Sequence, residues 1–270
     1  MRTIVIGDIH GGYKALVQLM ERVAPTSADQ LIFLGDYVDG WSESYEVIEY
    51  LISLSRKRNP NNYLDTWQAE PVEAPNEVRK RDNENEAQPI FLRGNHDELV
   101  LNYFTNGNEN EMWLYHGGKS TVKSYQNRPP KKIQEHIDFL KNDLVNYYEK
   151  EDNGFFHAGF HNLKGPQHEY YETMSYWDRS LWEMALCMDP DIAKDDLRYP
   201  NRLKLYKEIF IGHTPTDRLG KHVPINAANV WNVDTAAAYK GPLTALCVED
   251  KTMWQSDPVH SLYPDENGRN

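Results

Sequence analysis

The sequence predicts an α/β fold in which parallel strands are joined by helices, and three observations predict it. Thr3-Ile-Val-Ile6, Leu31-Ile-Phe-Leu34 and Pro89-Ile-Phe-Leu-Arg93 are short apolar runs of the length of buried strands. Between the first two, Leu16, Leu19, Met20 and Val23 recur at helical spacing, and after the second Val47, Ile48, Leu51, Ile52 and Leu54 do the same. A glycine follows each strand run (Gly7, Gly35, Gly94) and marks a sharp turn. A β-α-β-α-β opening of this kind pairs its strands in parallel through helical crossovers.

The remaining elements follow in order. Residues about 97–150 read as mainly helical. The second half returns to strands at Asn153-Gly-Phe-Phe156, Glu208-Ile-Phe-Ile211, Val230-Trp-Asn-Val233, Thr244-Ala-Leu-Cys-Val248 and Thr252-Met-Trp-Gln255, the last two forming a hairpin through Glu249-Asp-Lys251. No repeat with a period of about 20–50 residues is present. Between the second helix and the third strand, about residues 57–88 are polar, with Pro60, Pro71 and Pro75. This stretch reads as a surface insertion in a single domain spanning 1–270, and Trp67 is the one feature that favours a lid or recognition loop.

Bulk properties narrow the function. The formal net charge of −12 repels nucleic-acid backbones, so no nucleic-acid partner is expected. No apolar run approaches the roughly 20 residues of a membrane span, and the first residues carry no signal-peptide pattern. Two cysteines, Cys187 and Cys247, imply no disulfide framework. A cytoplasmic protein with no membrane partner is the expectation.

The chemistry lies in motifs at strand ends. In Gly7-Asp-Ile-His-Gly11, Asp8 and His10 are two apart, so an extended segment points both side chains the same way and offers two metal ligands. In Gly35-Asp-Tyr-Val-Asp-Gly40, Asp36 sits at the equivalent end of the neighbouring strand; two carboxylates that close call for a cation. In Arg93-Gly-Asn-His-Asp97, Asn95 offers a neutral carbonyl ligand, and His96 suits either ligand or acid.

These three motifs, in this order, resemble those of the calcineurin-like metallophosphoesterases. The resemblance is to the phosphoprotein-phosphatase branch, which includes bacteriophage lambda protein phosphatase and the symmetrical dinucleoside-tetraphosphate hydrolases. It covers about residues 2–248 and implies a four-layer sandwich: two mixed β-sheets flanked by helices. It also implies two further histidines after strands, which Phe155-Phe-His-Ala-Gly159 and Ile211-Gly-His-Thr214 provide. His116 in Tyr-His-Gly-Gly118 is a competitor by letters, but the preceding Glu111–Tyr115 reads as helix, so it is set aside. By this resemblance Asp8, His10 and Asp36 hold one divalent ion, and Asp36, Asn95, His157 and His213 hold the other. Such mixed ligands suit Mn²⁺ first, then Fe, Zn²⁺ or Mg²⁺. His96 becomes the general acid for the leaving oxygen, with Asp39 orienting it.

Departures matter as well. The family's second motif runs Asp-Arg-Gly, its arginine contacting phosphate; here Gly40-Trp41 follows Asp39, and an arginine introduced at 40 would restore the contact. Arg93 and Arg179 are the candidates for phosphate binding. Gly212-His-Thr214 lacks a second histidine two residues later, which favours the phosphatase branch. His161 reads as a solvent-facing loop residue, and Tyr170, Tyr171, Tyr176, Trp177 and Trp182 read as packing, with a substrate wall as the alternative. The expected function is hydrolysis of phosphate monoesters. Phosphoserine or phosphothreonine proteins lead as substrates, followed by dinucleoside polyphosphates or another small phosphorylated metabolite. A metal-bound scaffold without catalysis is the reading from another class, and the Asp39–His96 pair argues against it.

Overall fold

The computed structural model describes residues 1–58 and 87–270. Most of the polar segment, with Trp67, lies outside them. Six strands form the first sheet, in the order β11-β10-β1-β2-β3-β4. They are β1 (Thr3–Ile6), β2 (Gln30–Phe33), β3 (Ile90–Leu92), β4 (Leu144–Val145), β10 (Pro242–Cys247) and β11 (Met253–Pro258). Strands β1 to β4 run parallel, with Ile6 beside Phe33 and Phe33 beside Phe91, while β10 pairs antiparallel to β1 and to β11. The second sheet has the order β5-β6-β7-β9-β8, built from β5 (Tyr147–Lys150), β6 (Asn153–Phe156), β7 (Glu208–Ile211), β8 (Ile225–Ala227) and β9 (Val230–Asn232). Here β6, β7 and β9 are parallel, and the edge strands β5 and β8 are antiparallel.

The unbroken apolar runs now have a cause: both faces of the central strands are covered. Ile4 and Ile6 of β1, and Leu31 and Phe33 of β2, point to a core shared with helices α1 (Tyr13–Val23) and α2 (Ser44–Arg58). Their neighbours Val5 and Ile32 point the other way, into a core between the sheets with Leu92, Phe155, Phe210 and Val233. On the second sheet, Phe156, Ile209 and Ile211 face a third core. Leu181, Trp182 and Ala185 of the helix Ser180–Leu186 cover it, with Leu203 of Asn201–Lys204. Helix, sheet, sheet and helix give four layers, as the motif resemblance implied.

Between β3 and β4 the chain is helical as expected, through α3 (Asn95–Asn106), α4 (Glu111–Trp113), a π-turn at Leu114–Gly118, α5 (Lys119–Ser124) and α6 (Pro130–Asn142). The helical stretch ends eight residues early. Leu144–Val145 and Tyr147–Lys150 are strands, and the latter alternates polar and aromatic residues as an edge strand does. Strand β8 was not anticipated, nor were the short helices between β6 and β7: Met174–Trp177 (α7), Ser180–Leu186 (α8) and Asn201–Lys204 (α9). The hairpin was, with Leu246 opposite Met253. A last helical turn, α10 (Val259–Leu262), follows β11. No helix among the described residues is long and apolar enough to cross a membrane.

Candidate metal centre

The parallel strands of both sheets end at the same place, and the loops that leave them are laced together by backbone hydrogen bonds. Ile9 and His10 donate to the Asp36 carbonyl at 3.0 and 2.9 Å, Gly11 donates to Tyr37 at 2.9 Å, and Trp41 returns to His10 at 3.0 Å. Between the sheets, the backbone N–H of His213 donates to Asp8 Oδ2 at 3.0 Å, and His157 Nδ1 donates to the Leu34 carbonyl at 2.8 Å. Asp8 and His10 do converge, though not through strand alternation. His10 lies in left-handed backbone at φ 52°, as do Asp36 (52°), Asp39 (70°) and His213 (66°). Tight turns therefore aim these side chains.

Two donor groups result, and they share Asp36. One is Asp8, His10 and Asp36; the other is Asp36, His157 and His213; within each, one ligand atom per residue lies within 4.8 Å of the others. His10 Nε2 is 3.4 Å from Asp36 Oδ2, and His157 Nε2 is 3.5 Å from Asp36 Oδ1. Asn95 joins the second group, its Oδ1 lying 3.2 Å from His157 Nε2. All six residues are buried.

The tautomers decide what these atoms seek. His157 commits its Nδ1 proton to Leu34, and His10 commits its own to the carbonyls of Val38 and Asp39 at 3.1 and 3.0 Å. Each neutral ring then presents a bare Nε2 lone pair. Burial pushes His10, His157 and His213 below the usual imidazole range, which favours the neutral ring. Asn95 Oδ1 and His157 Nε2 thus confront each other as two acceptors. His213 Nε2 is buried with no hydrogen-bond partner among the described residues. Burial, with Asp234 and Asp36 nearby, raises the Asp8 carboxyl. Converging lone pairs, an orphaned buried nitrogen and crowded carboxylates are what a pair of divalent cations satisfies.

Beside this cluster, His96 Nδ1 meets Asp39 Oδ2 at 2.6 Å, and the His96 ring stands edge-on to His10 with centroids 5.2 Å apart. Asp39 is fully buried, yet its carboxylate is well supplied: Trp113 Nε1 donates at 2.5 Å and Thr121 Oγ1 at 2.6 Å. Neither donor was expected, because they arrive from helices 74 and 82 residues along the chain, and no local spacing announces them. Asp97, inside a recognised motif but given no role, accepts from the backbone of Gly94, Asp36 and Tyr37 at 2.8–2.9 Å and so ties the second and third motifs together.

The two expected phosphate arginines fare differently. Arg93 is held by Glu98 at 3.2 Å and by the Lys141 carbonyl at 3.4 Å. Arg179 leans on Thr214 Oγ1 at 2.8 Å and the His213 carbonyl at 3.5 Å, at the rim of the second donor group. His116 belongs to neither donor group; its Nδ1 faces the Asn270 carbonyl at 3.2 Å. His161 is exposed, as expected. Among the aromatics, Tyr176 and Trp182 are buried packing residues, whereas Tyr170, Tyr171 and Trp177 are exposed.

A family model for calcineurin-like phosphoesterases matches residues 1–239. The chain belongs to that family. Calcineurin-like phosphoesterases are dinuclear-metal hydrolases of phosphate esters, and the donor groups sharing Asp36 are candidates for such a centre in this chain. The chain is 24% identical to the asymmetrical bis(5'-nucleosyl)-tetraphosphatase PrpE of Geobacillus thermodenitrificans, over 93% of this chain and 92% of the relative. It is also 24% identical to the symmetrical bis(5'-nucleosyl)-tetraphosphatase of Vibrio parahaemolyticus, over 96% of this chain and all of the relative. A shorter match of 36% identity, over 39% of this chain and 13% of the relative, is to serine/threonine-protein phosphatase 2B catalytic subunit A2 of Saccharomyces cerevisiae. The fold is shared with a cold-active protein-tyrosine phosphatase from Shewanella, at a TM-score of 0.58, 14% identity and coverage of 95% of this chain and 80% of that one.

Proposed function

We propose that this phosphoesterase cleaves dinucleoside polyphosphates, with Asp8, His10, Asp36, Asn95, His157 and His213 holding two divalent ions, manganese foremost. The observation that carries the substrate class is Trp177. A ring left 44% exposed stands edge-on to the ligand His213, with centroids 6.5 Å apart. A large aromatic at the rim of a phosphate site is a surface on which a nucleobase can stack. The two full-length tetraphosphatase relatives support the same class.

When bound, the ions offset phosphoryl charge and lower the pKa of a coordinated water. The rest falls to side chains. His96, its Nδ1 held by Asp39, presents Nε2 as proton donor to the departing oxygen. Asp39, fixed by Trp113 and Thr121, supports the charge His96 carries before it gives the proton up. Arg179 offers donors beside the second donor group. The His96–Asp39 pair also keeps a second reading alive. A proton donor is needed most for a poor leaving group such as a serine alkoxide, so phosphoserine or phosphothreonine monoesters are the next substrate class.

The test compares diadenosine tetraphosphate with a phosphoserine peptide, with manganese present, in wild type and Trp177→Ala. Stacking of one base is worth about 1–3 kcal/mol. The variant should therefore raise KM for the dinucleotide roughly 5- to 150-fold while leaving the peptide nearly unchanged. Turnover of the peptide alone hands the function to the second reading, and an equal loss on both substrates removes Trp177 from base recognition.

A further inference from the structure

The segment after α10 folds back over the second motif and delivers a guanidinium to the metal centre. Tyr263 stacks on the buried Trp41 with ring centroids 5.2 Å apart at 23°, and its hydroxyl accepts from the Lys14 backbone at 2.9 Å. Ser42 bonds Glu266 through its backbone N–H at 2.9 Å and its hydroxyl at 2.6 Å. The Arg269 backbone donates to the Ala238 carbonyl at 2.9 Å, and Asn270 Nδ2 donates to Tyr115 at 3.1 Å. Anchored at both ends, the segment sends the Arg269 side chain inward. Its Nε donates to the His116 carbonyl at 3.2 Å, and its Nη1 lies 3.4 Å from His10 Nε2.

We infer that Arg269 is a substrate-binding residue, a donor to the phosphoryl oxygens of the anion bound at the metal centre. Three features of its surroundings carry this. First, among the described residues no carboxylate lies within ion-pair distance of Arg269, and its Nη2 meets no acceptor. A half-buried guanidinium beside a site that handles phosphate is therefore left with donors to spend. Second, its one contact in the cluster is temporary by nature: His10 Nε2 cannot accept from Arg269 and coordinate a cation at once. With the ligand set occupied, those N–H groups need an anionic oxygen. Third, the second motif is shaped for this side chain. A Cβ on Gly40 would stand 3.3 Å from Arg269 Cγ, and one on Gly117 would stand 3.2 Å from the same atom; both glycines have left-handed backbone, at φ 119° and 115°. The two form a slot through which Arg269 passes.

Both departures from the expected Asp-Arg-Gly sequence are thereby explained. Gly40 leaves room for an arginine arriving from elsewhere, and Trp41 is the platform on which the arriving segment stacks. An arginine at residue 40 restores nothing, because its Cβ would also lie 3.1 Å from the His10 carbonyl in a conformation that L side chains rarely adopt. Two guanidiniums then flank the centre, Arg269 beside His10 of one donor group and Arg179 beside His213 of the other.

The inference rests on the phosphoesterase reading above, and its test separates the two. Full-length wild type, Arg269→Ala and Arg269→Lys are loaded with manganese, metal content is measured, and inorganic phosphate is titrated by calorimetry. One charge-assisted contact is worth about a tenfold to hundredfold change in affinity. Arg269→Ala should weaken phosphate binding by that factor and raise KM for p-nitrophenyl phosphate in parallel, with metal content unchanged and Arg269→Lys in between. Guanidinium ion added at millimolar concentration should recover part of the loss, which a merely structural role would not allow. Unchanged phosphate affinity in a folded, metal-loaded Arg269→Ala overturns the inference while leaving the enzyme's function standing. A wild type that holds two metals yet neither binds phosphate nor hydrolyses an ester removes the functional reading, and Arg269's role with it.

Discussion

At the scale of single residues, the most consequential arrangement is the one that surrounds His96. Its Nδ1 is fixed by a fully buried carboxylate, which is itself held by an indole and a hydroxyl. The ring therefore has one orientation and one free nitrogen. General acid catalysis contributes about 10²–10⁴-fold. His96→Asn should cost that much on phenyl phosphate, whose leaving group needs the proton, and clearly less on p-nitrophenyl phosphate, with metal content unchanged. A plot of log turnover against leaving-group pKa that stays parallel to wild type would take the acid role from His96. The proposed ligands, which the fold brings together, were legible because each sits within a few residues of a strand end and shares a short motif with a glycine. Trp113, Thr121 and Arg269 were not, since what places them is the path of distant helices and of a returning segment.

Elements explain why the ligands meet. Two sheets bring their parallel strand ends together only if nothing stands between them, and residue 212 after β7 is where they touch. A Cβ at Gly212 would lie 2.1 Å from Asp8 Oδ1. The close approach lets the next backbone N–H, that of His213, reach the Asp8 carboxylate. Gly212→Ala should push Asp8 out of its position, weakening metal binding and costing about 1–3 kcal/mol of stability, as overpacking does. Metal stoichiometry and a melting curve test this; two ions at wild-type affinity with an unshifted midpoint would mean that the sheets do not meet as described. The central strands were legible because burial on both faces leaves them uniformly apolar. β4, β5 and β8 were not, because short edge strands carry mixed residues whose pairing partners are fixed by tertiary structure.

Over the whole molecule, the centre couples metal content to stability and pH. Burial raises Asp8, and it lifts Asp234 to about 7. A carboxyl raised on folding favours the folded state in its protonated form. That contribution is complete below the unfolded value and is lost as pH rises through the folded one. The buried histidines act oppositely, but above their unfolded value of about 6.5 their contribution is already complete. Between pH 6.5 and 8 the metal-free protein should therefore lose stability as pH rises. The metal-loaded protein should not, because the cations neutralise those carboxylates. The gap between their melting midpoints should widen over this range, each kcal/mol appearing as about 2–4 °C. Scanning calorimetry with and without chelator decides it, and a gap that is constant or narrows would contradict the account of Asp8 and Asp234.

The left-handed backbone at His10, Asp36, Asp39 and His213 has a consequence in evolutionary time. Such conformations cost on the order of 1–3 kcal/mol each for residues other than glycine, and His213 adds a buried nitrogen without a partner. Against a total stability of about 5–15 kcal/mol, that is a standing load on the fold. A lineage relieved of catalysis would lighten it at His213, by drifting to glycine there, whereas Asp36 and Asp39 also satisfy buried donors that their loss would orphan. Decay of this enzyme into an inert relative would thus begin at its active site and proceed downhill in free energy, leaving a sturdier protein with nothing to do.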